Sequence, residues 1–212
     1  MFSGIVFDFD GTLVDSTKSI FDEYVRVAGE MKLRPISFKE FTMQLGKPWD
    51  AALEGLWPDL DKEGFNSLYR REIEKTPVID GVIEVLADLR IRYSLGLLTS
   101  RGEKSLNMIL KSTEISKTVF EKIFTRESLK AHKPDPSALV EVAEKMVVPV
   151  SELVYVGDSV VDAECAKKAG VFFVGVLSGG TEEQELRSRG INHIIDSVAD
   201  LPKLLRELQD EA

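Results

Sequence analysis

Gly4-Ile5-Val6-Phe7-Asp8-Phe9-Asp10-Gly11-Thr12 is a short apolar run that ends in two carboxylates and a turn. Ile5 to Phe7 show no polar alternation, as expected of a strand covered on both faces. In open α/β sheets, ligands bind beyond the carboxyl ends of the strands, and Asp8 and Asp10 stand at such an end. They are two apart, so extended geometry points both toward one side. Carboxylates this close repel unless a cation lies between them or one is protonated. Gly11 permits a sharp turn and close approach of backbone to ligand. Thr12 offers a hydroxyl that can cap the next element of the chain. Taken alone, the stretch leaves a solvated acidic turn at a strand end as the lesser alternative.

Outward from this run, short apolar stretches alternate with helical patterns, the signature of a parallel sheet with crossover helices. The clearest further strands are Ser94 to Leu98, Leu153 to Val156 and Phe172 to Val176, with weaker signals at Lys122 to Thr125 and His193 to Ile195. Val82, Val85, Leu86 and Leu89 mark one helical stripe; Leu139, Val142, Ala143 and Met146 mark another. The C-terminal stretch Leu201 to Leu208 reads as an amphipathic closing helix. The expected fold is α/β: a Rossmann-like parallel sheet core with helices on both faces.

The alternation breaks between the first strand and Asp80. This segment shows three helical stretches: one with Ile20, Phe21, Tyr24, Val25 and Ala28; one from Phe38 to Leu45; and one with Phe65, Leu68, Tyr69 and Ile73. A simple crossover needs a single helix, so a small inserted α-helical cap domain is expected over residues 16–78. Residues 1–15 and 79–212 then form the core. The hinges are Asp15-Ser16 and the segment from Thr76-Pro77 to Gly81. Gly46-Lys47-Pro48-Trp49 reads as a loop of this insert in which Lys47 either meets a second anionic group of a ligand or is solvated. Trp49 and Trp57 read as core of the insert, and Arg70 and Arg71 as surface or salt-bridge residues.

The 212 residues include 27 Lys and Arg against 36 Asp and Glu, a net charge of −9. Such a surface repels nucleic acid and anionic lipid, which argues against both as partners. No apolar run approaches the ~18 residues that span a bilayer. Met1-Phe2-Ser3-Gly4 has no basic region ahead of an apolar stretch, so no signal peptide is expected. Cys165 is the only cysteine, which fits a reducing cytoplasm. It lies near Ala163 and Ala166 and reads as a small buried residue.

Three further strand ends carry polar groups. Leu97-Leu98 leads into Thr99-Ser100, whose hydroxyl and backbone donors suit a phosphate oxygen, or an ordinary turn. Arg101 comes next, as a substrate contact or a surface residue. Lys133 precedes Pro134-Asp135-Pro136, where Asp135 as N-cap and Pro136 at the first helical position make a good helix start. That start fixes the backbone just after Lys133 and can hold its ammonium over a site. Val154-Tyr155-Val156 leads into Gly157-Asp158, and Asp162 falls one helical turn further on the same face. Hard oxygen ligands of this kind suit magnesium, although acidic residues also favour helix N-termini.

Asp8-Phe9-Asp10-Gly11-Thr12-Leu13-Val14-Asp15-Ser16, together with Thr99, Lys133 and Gly157-Asp158 with Asp162, resembles the haloacid dehalogenase superfamily. The nearest likeness is to its capped phosphatases, such as phosphoglycolate phosphatases. The resemblance spans nearly the whole chain. It implies Mg²⁺-dependent hydrolysis of a small phosphorylated metabolite by a cytoplasmic monomer or homodimer. Asp8 would be the nucleophile that forms an aspartyl-phosphate, and Asp10 the acid and base. Asp8, the Asp10 main-chain carbonyl and Asp158 would bind the metal, with Asp162 acting through water or supporting the shell. Thr99 and Lys133 would hold the phosphoryl oxygens; read from the residues alone, Ser100 and Lys47 are further candidates for binding substrate. Dehalogenases lack an acid equivalent to Asp10. Mutases of the β-phosphoglucomutase type carry a histidine twelve residues beyond the nucleophile, where this chain has Ile20. An inorganic pyrophosphatase remains open, and a non-enzymatic binding protein is the alternative of a different class.

Overall fold

The computed structural model describes residues 1–69 and 76–210. The readings made for Arg70, Arg71 and Ile73 lie outside the described residues. Six strands form one sheet: β1 (Gly4–Phe7), β2 (Ser94–Leu98), β3 (Lys122–Phe124), β4 (Leu153–Gly157), β5 (Phe172–Val176) and β6 (Ile194–Ile195). Their order is β3-β2-β1-β4-β5-β6, and every adjacent pair is parallel. β1 is central, with Phe7 opposite Leu97 on one side and Val156 on the other.

Strand periodicity divides the apolar side chains between two faces. Ile5 and Phe7 join one buried cluster with Leu95, Leu97, Val154 and Val156. Val6 joins a second cluster with Leu98, Leu153 and Tyr155. Helices cover both faces. Helix α5 (Val82–Leu89) packs into the first cluster through Val82, Val85, Leu86 and Leu89. Helix α7 (Ser137–Met146) packs into the second through Leu139, Val142, Ala143 and Met146. These are the two stripes read from the sequence. The remaining core helices are α6 (Glu103–Ser112), α8 (Val160–Ala169), α9 (Glu183–Ser188) and α10 (Leu201–Asp210).

Between β1 and α5 the described residues form four helices: α1 (Thr17–Glu30), α2 (Phe38–Thr42), α3 (Trp49–Leu56) and α4 (Lys62–Leu68). The expectation of three helical stretches is corrected by α3. Gly46 and Pro48 look like loop punctuation, but Pro48 stands at the N-cap of α3 and Trp49 is its first residue. Ala52, Leu53 and Leu56 supply its buried face. The insert has a core of its own, built around Tyr24. The Tyr24 ring lies 5.3 Å from Phe41, 5.5 Å from Trp49 and 5.4 Å from Phe65, centroid to centroid, all edge-on. Aromatic pairs favour such edge-on contacts.

The two connections to the core are tied to each other. The Asp15 N–H donates to the Pro77 carbonyl at 2.9 Å and the Ile79 N–H to the Leu13 carbonyl at 3.1 Å. Val14 and Val78 form an antiparallel bridge between them. The chain therefore leaves and re-enters the core at one place, directly beyond Asp8 and Asp10. Among the described residues, no helix is long and apolar enough to cross a membrane.

Phe65 is fully buried in the Tyr24 cluster. Phe65→Ala is expected to cost ~3–5 kcal/mol of packing within the insert. Urea unfolding followed by tryptophan fluorescence measures it, since Trp49 and Trp57 both report on that cluster.

Candidate active site

The backbone beyond β1 keeps strand geometry for one more residue: the Asp8 N–H donates to the Val156 carbonyl at 2.8 Å. It then turns sharply. The Phe9 carbonyl accepts from the N–H groups of Leu13 at 2.9 Å and Val14 at 3.1 Å, while the Phe9 ring is sealed in the core. Gly11 has φ +78°, and a Cβ there would meet Asp158 Oδ2 at 2.6 Å. Glycine is thus required both for the backbone angle and for the approach.

Lys133 is 2% exposed, which is rare for lysine without partners. Its ammonium donates to Asp8 Oδ1 and Asp162 Oδ1, each at 2.7 Å, and to the Tyr155 hydroxyl at 3.1 Å. Beyond it Asp135 Oδ1 accepts the Ser137 N–H at 2.8 Å, but the N-cap is Pro136 and not Asp135 as expected. Regular helix begins at Ser137, one residue later than expected, although Pro136 already has helical angles.

Asp158 comes directly after β4, and Asp162 lies in the first turn of α8. Ser159 and Asp162 form a reciprocal capping box. Asp162 Oδ2 accepts from the Ser159 N–H at 3.1 Å, while Oδ1 accepts from Lys133 and from the Tyr155 hydroxyl at 2.6 Å. Asp162 is thus well satisfied by protein donors. Asp158 is not: its Oδ2 is buried with no hydrogen-bond partner among the described residues. Its Oδ1 has only a long contact from the Thr12 hydroxyl at 3.4 Å.

Asp8, Asp158 and Asp162 each present an oxygen within 4.8 Å of the others. Three carboxylates against one ammonium leave two negative charges in a buried site. Burial pushes the Asp8 carboxyl up to about 7, against the pull of Lys133 and with a further push from Asp162. Burial also holds Asp158 well above the usual carboxylate range, reinforced by the charges of Asp162 and Asp8. Lys133 is held above the ordinary lysine value: burial works against its charge, but Asp162 and Asp8 outweigh it. An all-oxygen set with an orphaned carboxylate oxygen and a charge deficit of two fits a hard divalent cation such as magnesium.

Asp10 also faces this region but pairs elsewhere. Its Oδ2 accepts from Arg101 Nε at 3.0 Å, and its Oδ1 accepts from Arg101 Nη2 and, at 2.5 Å, from the Ser16 hydroxyl. Thr99 is buried and its Oγ1 accepts the Arg101 N–H at 3.1 Å. The Ser100 hydroxyl donates across to the insert, to the Gly46 carbonyl at 2.6 Å. Lys47 lines the same cavity and donates to Gln44 Oε1 at 2.7 Å. The cavity, about 610 Å³, lies between core and insert and is lined by Asp8, Asp10, Lys47, Thr99, Arg101 and Asp158 among others.

The structure thus gathers Asp8, Lys133, Asp158 and Asp162 in one cluster, and Asp10, Thr99, Ser100 and Lys47 line the cavity beside it. It adds three that were not singled out. Tyr155 read as one more apolar strand residue, yet its hydroxyl links Lys133 to Asp162. Ser16 read as a hinge residue, yet it holds Asp10. Gly179 carried no reading; a Cβ there would meet Asp158 Oδ2 at 1.8 Å. The Gly179-Gly180 pair beyond β5 was the available signal.

Known proteins resemble the chain over the same span. The family profile described as "Haloacid dehalogenase-like hydrolase" matches residues 5–176. A "Phosphoglycolate phosphatase" of Caulobacter vibrioides is 29% identical over 211 residues, covering 94% of this chain and 89% of the relative. A "Pyrophosphatase PpaX" of Bacillus velezensis is 26% identical over 205 residues, covering 94% of each. The crystal structure of a hydrolase from Pseudomonas syringae superposes with a TM-score of 0.85 at 24% identity, covering 97% of this chain and 98% of that one.

Gly179→Ala is expected to push Asp158 aside and to abolish any rise in Tm on adding magnesium, read by thermal denaturation with and without the metal. Cys165 is fully buried, and burial pushes its thiol up to about 12. At pH 8 the thiolate fraction is then on the order of one in ten thousand. Cys165 is expected to ignore a chromogenic disulfide reagent in the native protein and to titrate fully in guanidinium.

Proposed function

Because the chain belongs to the haloacid dehalogenase-like hydrolases, we propose that it is a magnesium-dependent phosphatase acting on a small phosphate monoester through an aspartyl-phosphate at Asp8. One observation carries the reading: Asp8 opens on the cavity while its other side is fixed by Lys133 in a cluster short of two positive charges. Asp8, Asp158 and the Asp10 main-chain carbonyl would hold magnesium, with Asp162 supporting through water. The metal supplies charge neutralisation, so that a carboxylate can approach a phosphate dianion.

In this reading Asp8 attacks phosphorus, the bond to the leaving oxygen breaks, and Asp10 gives that oxygen its proton. Asp10 then takes a proton from water, whose oxygen attacks the same phosphorus. The bond to Asp8 breaks and phosphate is released. Covalent catalysis divides one hard displacement into two easier ones. Lys133 stabilises charge on Asp8 and on the transferring group, and Thr99 and Ser100 contribute donors to phosphoryl oxygens. Residues 16–78 act as a cap over a core of residues 1–15 and 79–212, excluding water and selecting the substrate, with Lys47 facing it.

Ile20 lines the cavity and has no proton to exchange, which supports hydrolysis over a mutase reaction. The likeness to both a phosphoglycolate phosphatase and a pyrophosphatase keeps pyrophosphate among the substrates to test. A cytoplasmic location and a monomeric or homodimeric state belong to the same proposal.

Phosphate release from 2-phosphoglycolate, pyrophosphate, sugar phosphates and nucleoside monophosphates, with and without magnesium, is the deciding experiment. Turnover of at least one that disappears with a chelator is expected; none across the panel sinks the reading. Asp8→Asn is expected to be inactive. Asp10→Asn is expected to lose ~10²–10⁴ in kcat, the usual contribution of a general acid and base.

A further inference from the structure

The general acid of the proposed reaction is not free to act in this arrangement. Arg101 grips the Asp10 carboxylate with Nε and Nη2, one donor to each oxygen. While it does so, both oxygens of the Asp10 carboxylate are engaged by the guanidinium. The Arg101 side chain is 11% exposed, so withdrawing Asp10 would leave a nearly buried guanidinium without its counter-charge. Stranding one member of a buried ion pair is far costlier than exchanging its partner. Asp10 is therefore released only as another anion takes its place.

Among the described residues, the other carboxylates lining the cavity are placed elsewhere: Asp158 is wedged between Gly11 and Gly179. Asp8 is held by Lys133. Glu127 lines the cavity but accepts the Glu103 N–H at 3.0 Å and pairs with Arg126 at 3.3 Å. The guanidinium itself stays in place without Asp10. Its Nη1 donates to the Ser105 hydroxyl at 2.7 Å, and its main-chain N–H is fixed on Thr99 Oγ1. A planar fork held this way matches the two oxygens of a carboxylate or phosphate.

We propose that Arg101 is a specificity-determining residue: it exchanges Asp10 for a second anionic group on the substrate, so that only a phosphate monoester carrying such a group frees the acid. This rests on the phosphatase reading and narrows it to doubly anionic substrates. The exchange breaks no covalent bond. It moves Asp10 from the arginine to the leaving oxygen at the moment the substrate is seated.

Non-hydrolysable probes separate this from turnover. With magnesium present, calorimetry compares phosphonoacetate, which has a carboxylate, with ethylphosphonate, which has none. The wild-type protein is expected to prefer phosphonoacetate by ~10–100-fold, the usual worth of a charge-assisted contact. Arg101→Met, checked by circular dichroism to be folded at the assay temperature, is expected to lose that preference, and Arg101→Lys, which keeps a positive charge beside Asp10, to recover part of it. A crystal structure with phosphonoacetate is expected to show Arg101 on the carboxylate and Asp10 released. Equal or absent binding of the two probes, an undiminished preference in Arg101→Met, or Arg101 still on Asp10 in the complex overturns the proposal. A retained preference together with no turnover of any phosphate ester leaves the anion exchange standing and removes the phosphatase reading instead.

Discussion

A single buried ammonium organises the catalytic end of the sheet. Lys133 reaches Asp8 at the tip of β1 and Asp162 in the first turn of α8, with the Tyr155 hydroxyl closing the set. Breaking a buried pair of this kind typically costs ~3–5 kcal/mol, because the surviving charge is stranded. The ammonium therefore ties three separate stretches of chain to one another at the point where chemistry requires them. It also leaves the site short of positive charge, a deficit that a hard divalent cation would fill.

Tight backbone approach makes the arrangement possible. Gly11 and Gly179 come so close to Asp158 that no side chain fits at either position. Asp158 is thereby fixed from two sides without using its oxygens, and Oδ2 is left unpaired. Ordinary cores satisfy such a group. Leaving it orphaned is a departure from good packing that a bound cation would repair.

The helical insert adds a second layer of control. Its two connections are hydrogen-bonded to each other just beyond Asp8 and Asp10, and Ser16 on the first of them donates to Asp10. The Ser100 hydroxyl meets the Gly46 carbonyl across the boundary, linking a strand end of the core to the loop that carries Lys47.

Much of this was legible in the sequence for a local reason. Continuous apolar runs such as Ile5 to Phe7 can be buried only in the middle of a sheet, and stripes such as Val82 to Leu89 only on its face. Polar residues at the ends of those runs consequently fall at one edge, which is why Asp8, Thr99, Lys133 and Asp158 could be named together. Helix α3 escaped because Gly46 and Pro48 signal a turn and a helix start in the same letters. Tyr155 escaped because its ring behaves as an apolar strand residue while its hydroxyl answers to groups distant in the chain. The strands, the insert and the inventory of charged groups were therefore determined by the sequence itself, since periodicity and turn chemistry are local properties. Only the tertiary structure decided the pairing among those groups. Asp8 and Asp10, two residues apart, belong to different cations, Lys133 and Arg101, because the backbone turns between them and burial forces each charge onto whichever partner the fold brings within reach.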